Sequence, residues 1–285
     1  MMPLHHAYGF VRASAKRGDM LSREAIDALR YAPDEPSAKR AAEAYGISSE
    51  GRRLATLVVR YGTIIRCYRD AAPLVRAILR THEIENVKLG WRAVVRKLRE
   101  EQWLPLWRDL QDLGTIGPDV FQSTTSLRQV VDKLIGTPYG SIAHDVHLAH
   151  FEDLGAAELA FDRWASMAIV READSLDREP LARKIAEAFV RQRDDEIAAR
   201  AEIYQLPADV ADAARALPRT RSKVDLQQLC RRAFAGQPLK IAPAIAFIAL
   251  TERDYRLGRA LVERRADADV DPAVDRVLEG SSAHR

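Results

Sequence analysis

Apolar positions along the chain return every three to four residues over most of its length, which is the period of an amphipathic helix. Within 52–68, Leu54, Leu57, Val58, Ile64 and Ile65 share one side of such a helix. Within 74–98, Leu74, Ala77, Ile78, Ile84, Val87 and Trp91 do the same. The pattern predicts further helices over 8–16, 22–31, 37–45, 126–134, 141–151, 156–174, 181–204, 208–217, 224–234 and 244–265. Proline and glycine punctuate them. Pro33 and Pro36 stop the second helix, Gly46 the third, and 103–118 reads as a broken connector with two prolines and two glycines. Gly136-Thr137-Pro138-Tyr139-Gly140 is a turn signature. Ser22 is placed to cap the second helix, with Glu24 at the positive end of its dipole. Pro272 opens a short last helix, and His5 and His6 fall in an irregular start. No segment alternates with a period of two over a convincing strand pair. The expectation is a single all-α domain over 1–285.

Composition narrows this picture. At 47% hydrophobic and 30% charged residues, the chain is neither disordered nor membrane-embedded. The longest apolar run, 241–250, contains Pro243 and falls well short of the roughly 20 residues a membrane span needs. The formal charge of +3 is spread with mixed signs, without the basic stripe of a nucleic-acid binder. The densest basic cluster, Arg219 to Lys223, reads as a solvated linker. Cys67 and Cys230 sit far apart in apolar helices, as buried thiols of a reducing, cytoplasmic compartment.

A degenerate internal repeat is visible. Glu83-Ile84-Glu85-Asn86-Val87-Lys88, followed by Arg92, places an acidic residue late in a long helix beside a bulky apolar one. Glu196-Ile197 and Asp254-Tyr255, the latter followed by Arg259, do likewise. Three helical modules, roughly 1–115, 116–220 and 221–285, follow from that reading.

Four stretches in order resemble one family, the V/A-type ATPase subunit called C in archaeal and bacterial enzymes and d in eukaryotic ones. Tyr8-Gly9-Phe10-Val11-Arg12-Ala13, leading to Leu21-Ser22-Arg23-Glu24, resembles its opening helices. Glu83 to Lys88 with Arg92 resembles its recurring acidic–aliphatic–Asn motif. Gly136-Thr137-Pro138-Tyr139 resembles its mid-chain turn, and Pro243 to Ile248 with Glu252 to Arg259 its closing helix. The second copy departs from the motif with Ala199 in place of Asn, and the third with Leu257 and Gly258.

The resemblance implies a funnel-like assembly of the three modules, with the central shaft of a rotary ATPase in its mouth and the membrane rotor ring on its other face. It implies a non-catalytic subunit, without cofactor or metal, held at the membrane through the complex and supporting proton or sodium transport. Glu83, Asn86, Arg92, Glu196, Asp254 and Arg259 are then structural or partner-contact residues, with Arg92 and Arg259 pairing to the acids or to partner carboxylates.

Other chemistry was weighed. No phosphate-binding loop, Gly-x-Ser-x-Gly elbow or dinucleotide fingerprint is present. His144, His147 and His150, beside Asp145, Glu152 and Asp153, are the alternative: a metal-dependent hydrolase on a helix. His150 turns about 120° away from His144, which weakens the triad. Trp91, Trp103, Trp107 and Trp164 read as core anchors, with a stacking platform beside Arg92 and Arg108 as the alternative. A helical scaffold for an unrelated partner is the remaining reading.

Overall fold

The structure, a computed structural model, describes residues 3–18, 20–21, 23–46, 50–150, 153–218, 225–236 and 239–266. Its helices are α1 (Pro3–Arg17), α2 (Arg23–Arg30), α3 (Glu35–Ala44), α4 (Glu50–Cys67), α5 (Ala72–Val95), α6 (Glu100–Trp103) and α7 (Leu127–Leu134). There follow α8 (Gly140–His150), α9 (Leu154–Asp174), α10 (Pro180–Ile203), α11 (Ala208–Ala213), α12 (Leu226–Ala235) and α13 (Ala242–Ala266). No strand occurs among the described residues, so the class is all-α. The chain forms two compact units: residues 1–71 together with 227–285, and residues 72–226.

In the first unit α13 packs against α1, α2, α3 and α4. Leu29, Ala42 and Leu257 form a small core there, with Leu21, Ile26 and Ala41 around it. Asp34 opens α3 by accepting the Ser37 N–H at 2.7 Å, and Pro36 fits the first turn, where a missing N–H costs nothing. Gly46, at φ +71, takes the left-handed conformation just past the α3 C-cap. α1 begins earlier than periodicity placed it. His5 and His6 lie inside it, and the irregular start expected there is corrected. His6 stacks on Tyr68 and its Nδ1 lies 2.9 Å from the Leu239 carbonyl. That contact comes from residues remote in sequence, so a local pattern carries no trace of it. Ser22, the 219–223 cluster and the helix expected from Pro272 lie outside the described residues.

In the second unit α5 is the central element. It is buried on nearly every side, by Leu74, Val75, Ile78, Ile84, Val87 and Trp91 among others, and packs against α9. α9 packs in turn on α10. Asp153 caps α9 by accepting the Ala156 N–H at 2.9 Å, and Ser126 caps α7. The 103–118 connector is a run of short 3-10 turns after α6, broken where its prolines and glycines predict. α11 ends at Ala213, shorter than the expected 208–217, because the next residues bond back to α10.

The four tryptophans are core. Trp91 meets Phe161 edge-on at 5.3 Å, Trp103 meets Trp107 at 6.1 Å, and Trp164 meets Tyr139 at 5.5 Å. Trp91 and Trp103 are buried, and Trp107 and Trp164 pack half-buried against the same core, which supports the reading as core anchors. Cys67 and Cys230 are buried free thiols.

Gly90 on α5 lies directly under the Phe121 ring, where a Cβ would collide with ring carbons. Gly90→Ala is therefore expected to destabilise the protein by about 1–3 kcal/mol despite Ala being the better helix former. Urea unfolding checks this; an unchanged or raised midpoint contradicts it.

Candidate functional site

Three helices of the second unit share a buried polar seam. On α5, Lys88 and Arg92 are four residues apart; on α9, Glu158 and Asp162 are four apart; at the end of α10, Arg200 and the C-cap residue Tyr204 repeat the interval. Four residues is about one helical turn, so each pair stacks along one face. The result is a ladder of two rungs.

In the first rung, Lys88 Nζ bonds both oxygens of Asp162 at 3.0 and 2.9 Å and Glu85 at 2.7 Å. Arg200 reaches Asp162 at 2.9 Å and Glu85 at 3.8 Å, and Arg193 stands 3.6 Å from Asp162. Asp162 is fully buried and Lys88 nearly so. In the second rung, Arg92 grips Glu158 at 2.5 and 3.0 Å, and Tyr204 donates to the other Glu158 oxygen at 2.9 Å. Residue numbers rise on α5 and α10 as they fall on α9, so α9 runs antiparallel to both.

The electrostatics follow from this arrangement. Burial pushes the Glu85 carboxyl up, but Lys88, Arg200 and Arg108 outweigh it and hold it well below the usual carboxylate range. Asp162 raises Arg200 against the opposing effect of burial. Burial, then the Glu158 charge, pushes the Tyr204 hydroxyl up to about 12, so Tyr204 remains a donor at neutral pH.

One turn before the first rung, Glu83 and Asn86 hold the connector onto α5. The buried Glu83 carboxylate accepts the Thr115 N–H, the Thr115 hydroxyl at 2.9 Å, the Ile116 N–H at 2.9 Å and the Tyr139 hydroxyl. Burial and the Glu83 charge push the Tyr139 hydroxyl far up, which keeps its proton in that bond. Asn86 makes a matched pair with the Arg108 backbone, donating to its carbonyl at 2.8 Å and accepting its N–H at 2.8 Å. The Glu-x-x-Asn spacing thus puts two main-chain clamps on the helix face that meets the connector.

Two other helix carboxylates share one element of this. On α10 the buried acceptor is Asp194: it takes the Ala216 N–H at 3.2 Å and the Leu217 N–H at 3.0 Å. The sequence pattern singled out Glu196. That residue lies half-buried two positions on, where its charge contributes to raising Arg200. In the first unit Asp254 accepts the Leu21 N–H at 2.7 Å and Arg60 at 2.8 Å. Arg92 pairs with Glu158 rather than with Glu83, and the half-buried Arg259 is not among the partners of Asp254. Glu83, Asp194 and Asp254 are each a carboxylate on a long helix that receives at least one main-chain N–H from a segment distant in sequence. The ladder acids, Glu158 and Asp162, were not picked out from the sequence. Their signal was two acids one turn apart inside the apolar run 156–169.

Compared with known families, residues 12–201 of the 285 match the model of the ATP synthase (C/AC39) subunit. The chain belongs to that family. The matched span holds Glu83, Asn86, the first rung of the ladder, the Arg92–Glu158 pair of the second and Asp194, while Tyr204, Asp254 and Arg259 lie beyond it. A search of curated proteins finds no match.

Among the described residues of this member of the ATP synthase (C/AC39) subunit family, no geometry gathers the metal site of the alternative reading, and Glu152, one of its candidate residues, lies outside them. His144 is 60% exposed on α8, 3.9 Å from Asp145. No three His, Cys, Asp or Glu side chains among the described residues are placed to share a metal ion. No described helix is long and apolar enough to cross a membrane.

Two outcomes test the ladder. Asp162→Asn removes the buried carboxylate shared by Lys88, Arg193 and Arg200, leaving Glu85 as the charged partner of Lys88 and Arg200, and a loss of about 3–5 kcal/mol in unfolding free energy is expected. A loss under about 1 kcal/mol contradicts the ladder. The second is pH dependence. The folded Glu85 carboxyl titrates below its unfolded value of about 4.3, so its contribution is present above that pH and is lost as pH falls through the folded value. Urea midpoints measured from pH 6 downward should fall less steeply for Glu85→Gln than for the parent; identical slopes contradict it.

Proposed function

We propose that this chain is a non-catalytic rotor subunit of a V/A-type ATPase, coupling the central shaft to the membrane rotor ring. The observation that carries the reading is the family match over residues 12–201. The polar ladder, all but Tyr204 of it inside that span, supports it. A part that passes torque between two rotating bodies has to resist shear, and an interior packed at crystal-like density and crossed by directional ion pairs does so.

Three modules arranged as a funnel around one axis belong to the same proposal. Its support is the recurrence of one device, a helix carboxylate receiving distant main-chain N–H groups, at Glu83, Asp194 and Asp254. The subunit would sit at the cytoplasmic face of the membrane through its neighbours. Its exposed residues, rather than the buried Glu83, Asn86 and Asp194, would meet the shaft and ring.

Co-expression with the shaft and ring subunits of the same organism's ATPase tests this. A stable complex of fixed stoichiometry, measured by native mass spectrometry, is expected, and the chain alone should not turn over ATP. Failure to associate with either part overturns the reading.

A further inference from the structure

The four-residue interval of the ladder repeats once more on α9. Glu158 and Asp162 are followed by Ser166, which is fully buried like Asp162 and shares its helix face. Its hydroxyl oxygen makes no hydrogen bond among the described residues.

Arg193 approaches the same place from α10. It precedes Arg200 by seven residues, about two turns or roughly 10 Å of helix axis. Because α9 runs antiparallel to α10, that offset lies on the Ser166 side of Asp162. Arg193 nevertheless reaches Asp162, with Nη2 3.6 Å from Oδ1. Its side chain therefore runs along α9 past the level of Ser166. Arg193 is 9% exposed, and its Nε and Nη2 are both buried without a hydrogen bond. These two nitrogens form one edge of the guanidinium plane, so their donors point the same way. At 3.6 Å the approach to Asp162 is an ion pair too long to be a hydrogen bond.

Buried polar atoms are costly without partners, and the large majority find one in protein or in ordered water. The groups gathered here complement one another through a single small molecule. Arg193 offers two donors on one edge, and the Ser166 hydroxyl donates or accepts. Asp162 Oδ1 accepts Lys88 at 3.0 Å and keeps a second lone pair. Water accepts from Arg193 and donates to Asp162 and Ser166, which gives it the two to four polar partners an internal water needs. An anion would accept from Arg193 but stand against the Asp162 carboxylate, and so fits less well.

We propose that one ordered water binds at this point and forms a third rung of the ladder, bridging Arg193 on α10 to Ser166 and Asp162 on α9. The proposal concerns the interior of the second unit and stands or falls independently of the rotor reading.

Crystal structures of the full chain, from crystals grown in chloride and in bromide, test it. An ordered peak within about 3.2 Å of Arg193, Ser166 Oγ and Asp162 Oδ1 is expected, with no anomalous signal in bromide. Arg193→Met, which keeps a long side chain and removes the donors, should abolish the peak. Circular dichroism reports whether that variant folds; if it does not, Ser166→Ala replaces it and should lower the occupancy of the peak. No peak with these three contacts, a bromide signal at the position, a direct bond between Ser166 and Arg193, or a peak undiminished in a folded variant overturns the proposal.

Discussion

Asp162 is fully buried on α9 with Lys88 and Arg200 within 3.0 Å of its oxygens, and the second unit is organised around that fact. A buried carboxylate without partners costs several kcal/mol, so the fold tolerates Asp162 only where α5 and α10 both bring cations to it. That requirement fixes the rotation of all three helices about their axes. Leu159, Phe161, Ile197 and Val87 then fill the space on either side. Apolar burial supplies the bulk of the stabilisation, and the ladder selects which of many similar apolar packings is adopted.

Glu83, Asp194 and Asp254 perform a related task at the helix surface. Connecting segments carry main-chain N–H groups that no helix satisfies, and a segment packed against a core must find acceptors for them. A carboxylate accepts several at once. Where Glu83 takes the Thr115 and Ile116 amides, the irregular 103–118 connector becomes as well fixed as the helix beneath it. The family's acidic–aliphatic–Asn motif acquires a physical meaning: the acid and the Asn clamp main chain, and the aliphatic residue between them, Ile84, is fully buried.

Much of this was legible in the sequence, and the failures have causes. Helices α4, α5, α9, α10 and α13 announced themselves because their apolar positions keep the 3.6-residue period over four or more turns. The connector was legible from its prolines and glycines. Glu83, Asn86 and Asp254 stood out through the repeat. Asp194 did not, because a degenerate motif aligns by its apolar neighbour, and Ile197 drew the reading to Glu196. The ladder was hidden for another reason. Its α5–α9 partners lie 66 to 74 residues apart along the chain and Tyr204 lies 46 residues from Glu158, and a helical pattern reports what is buried, not what it meets. The α1 start was missed because His6 is held by Tyr68 and Leu239 rather than by a local signal.

Membership of the ATP synthase (C/AC39) subunit family, with an interior built from fixed ion pairs and clamped connectors, supports the proposal of a part that transmits force. The most direct measurement is ATP hydrolysis and ion transport, followed together, in membrane vesicles from cells lacking this chain and from cells in which it is restored. Hydrolysis persisting without transport, with transport recovered on restoration, is the predicted result. Transport at the parental rate in the absence of the chain would contradict its role as the coupling part.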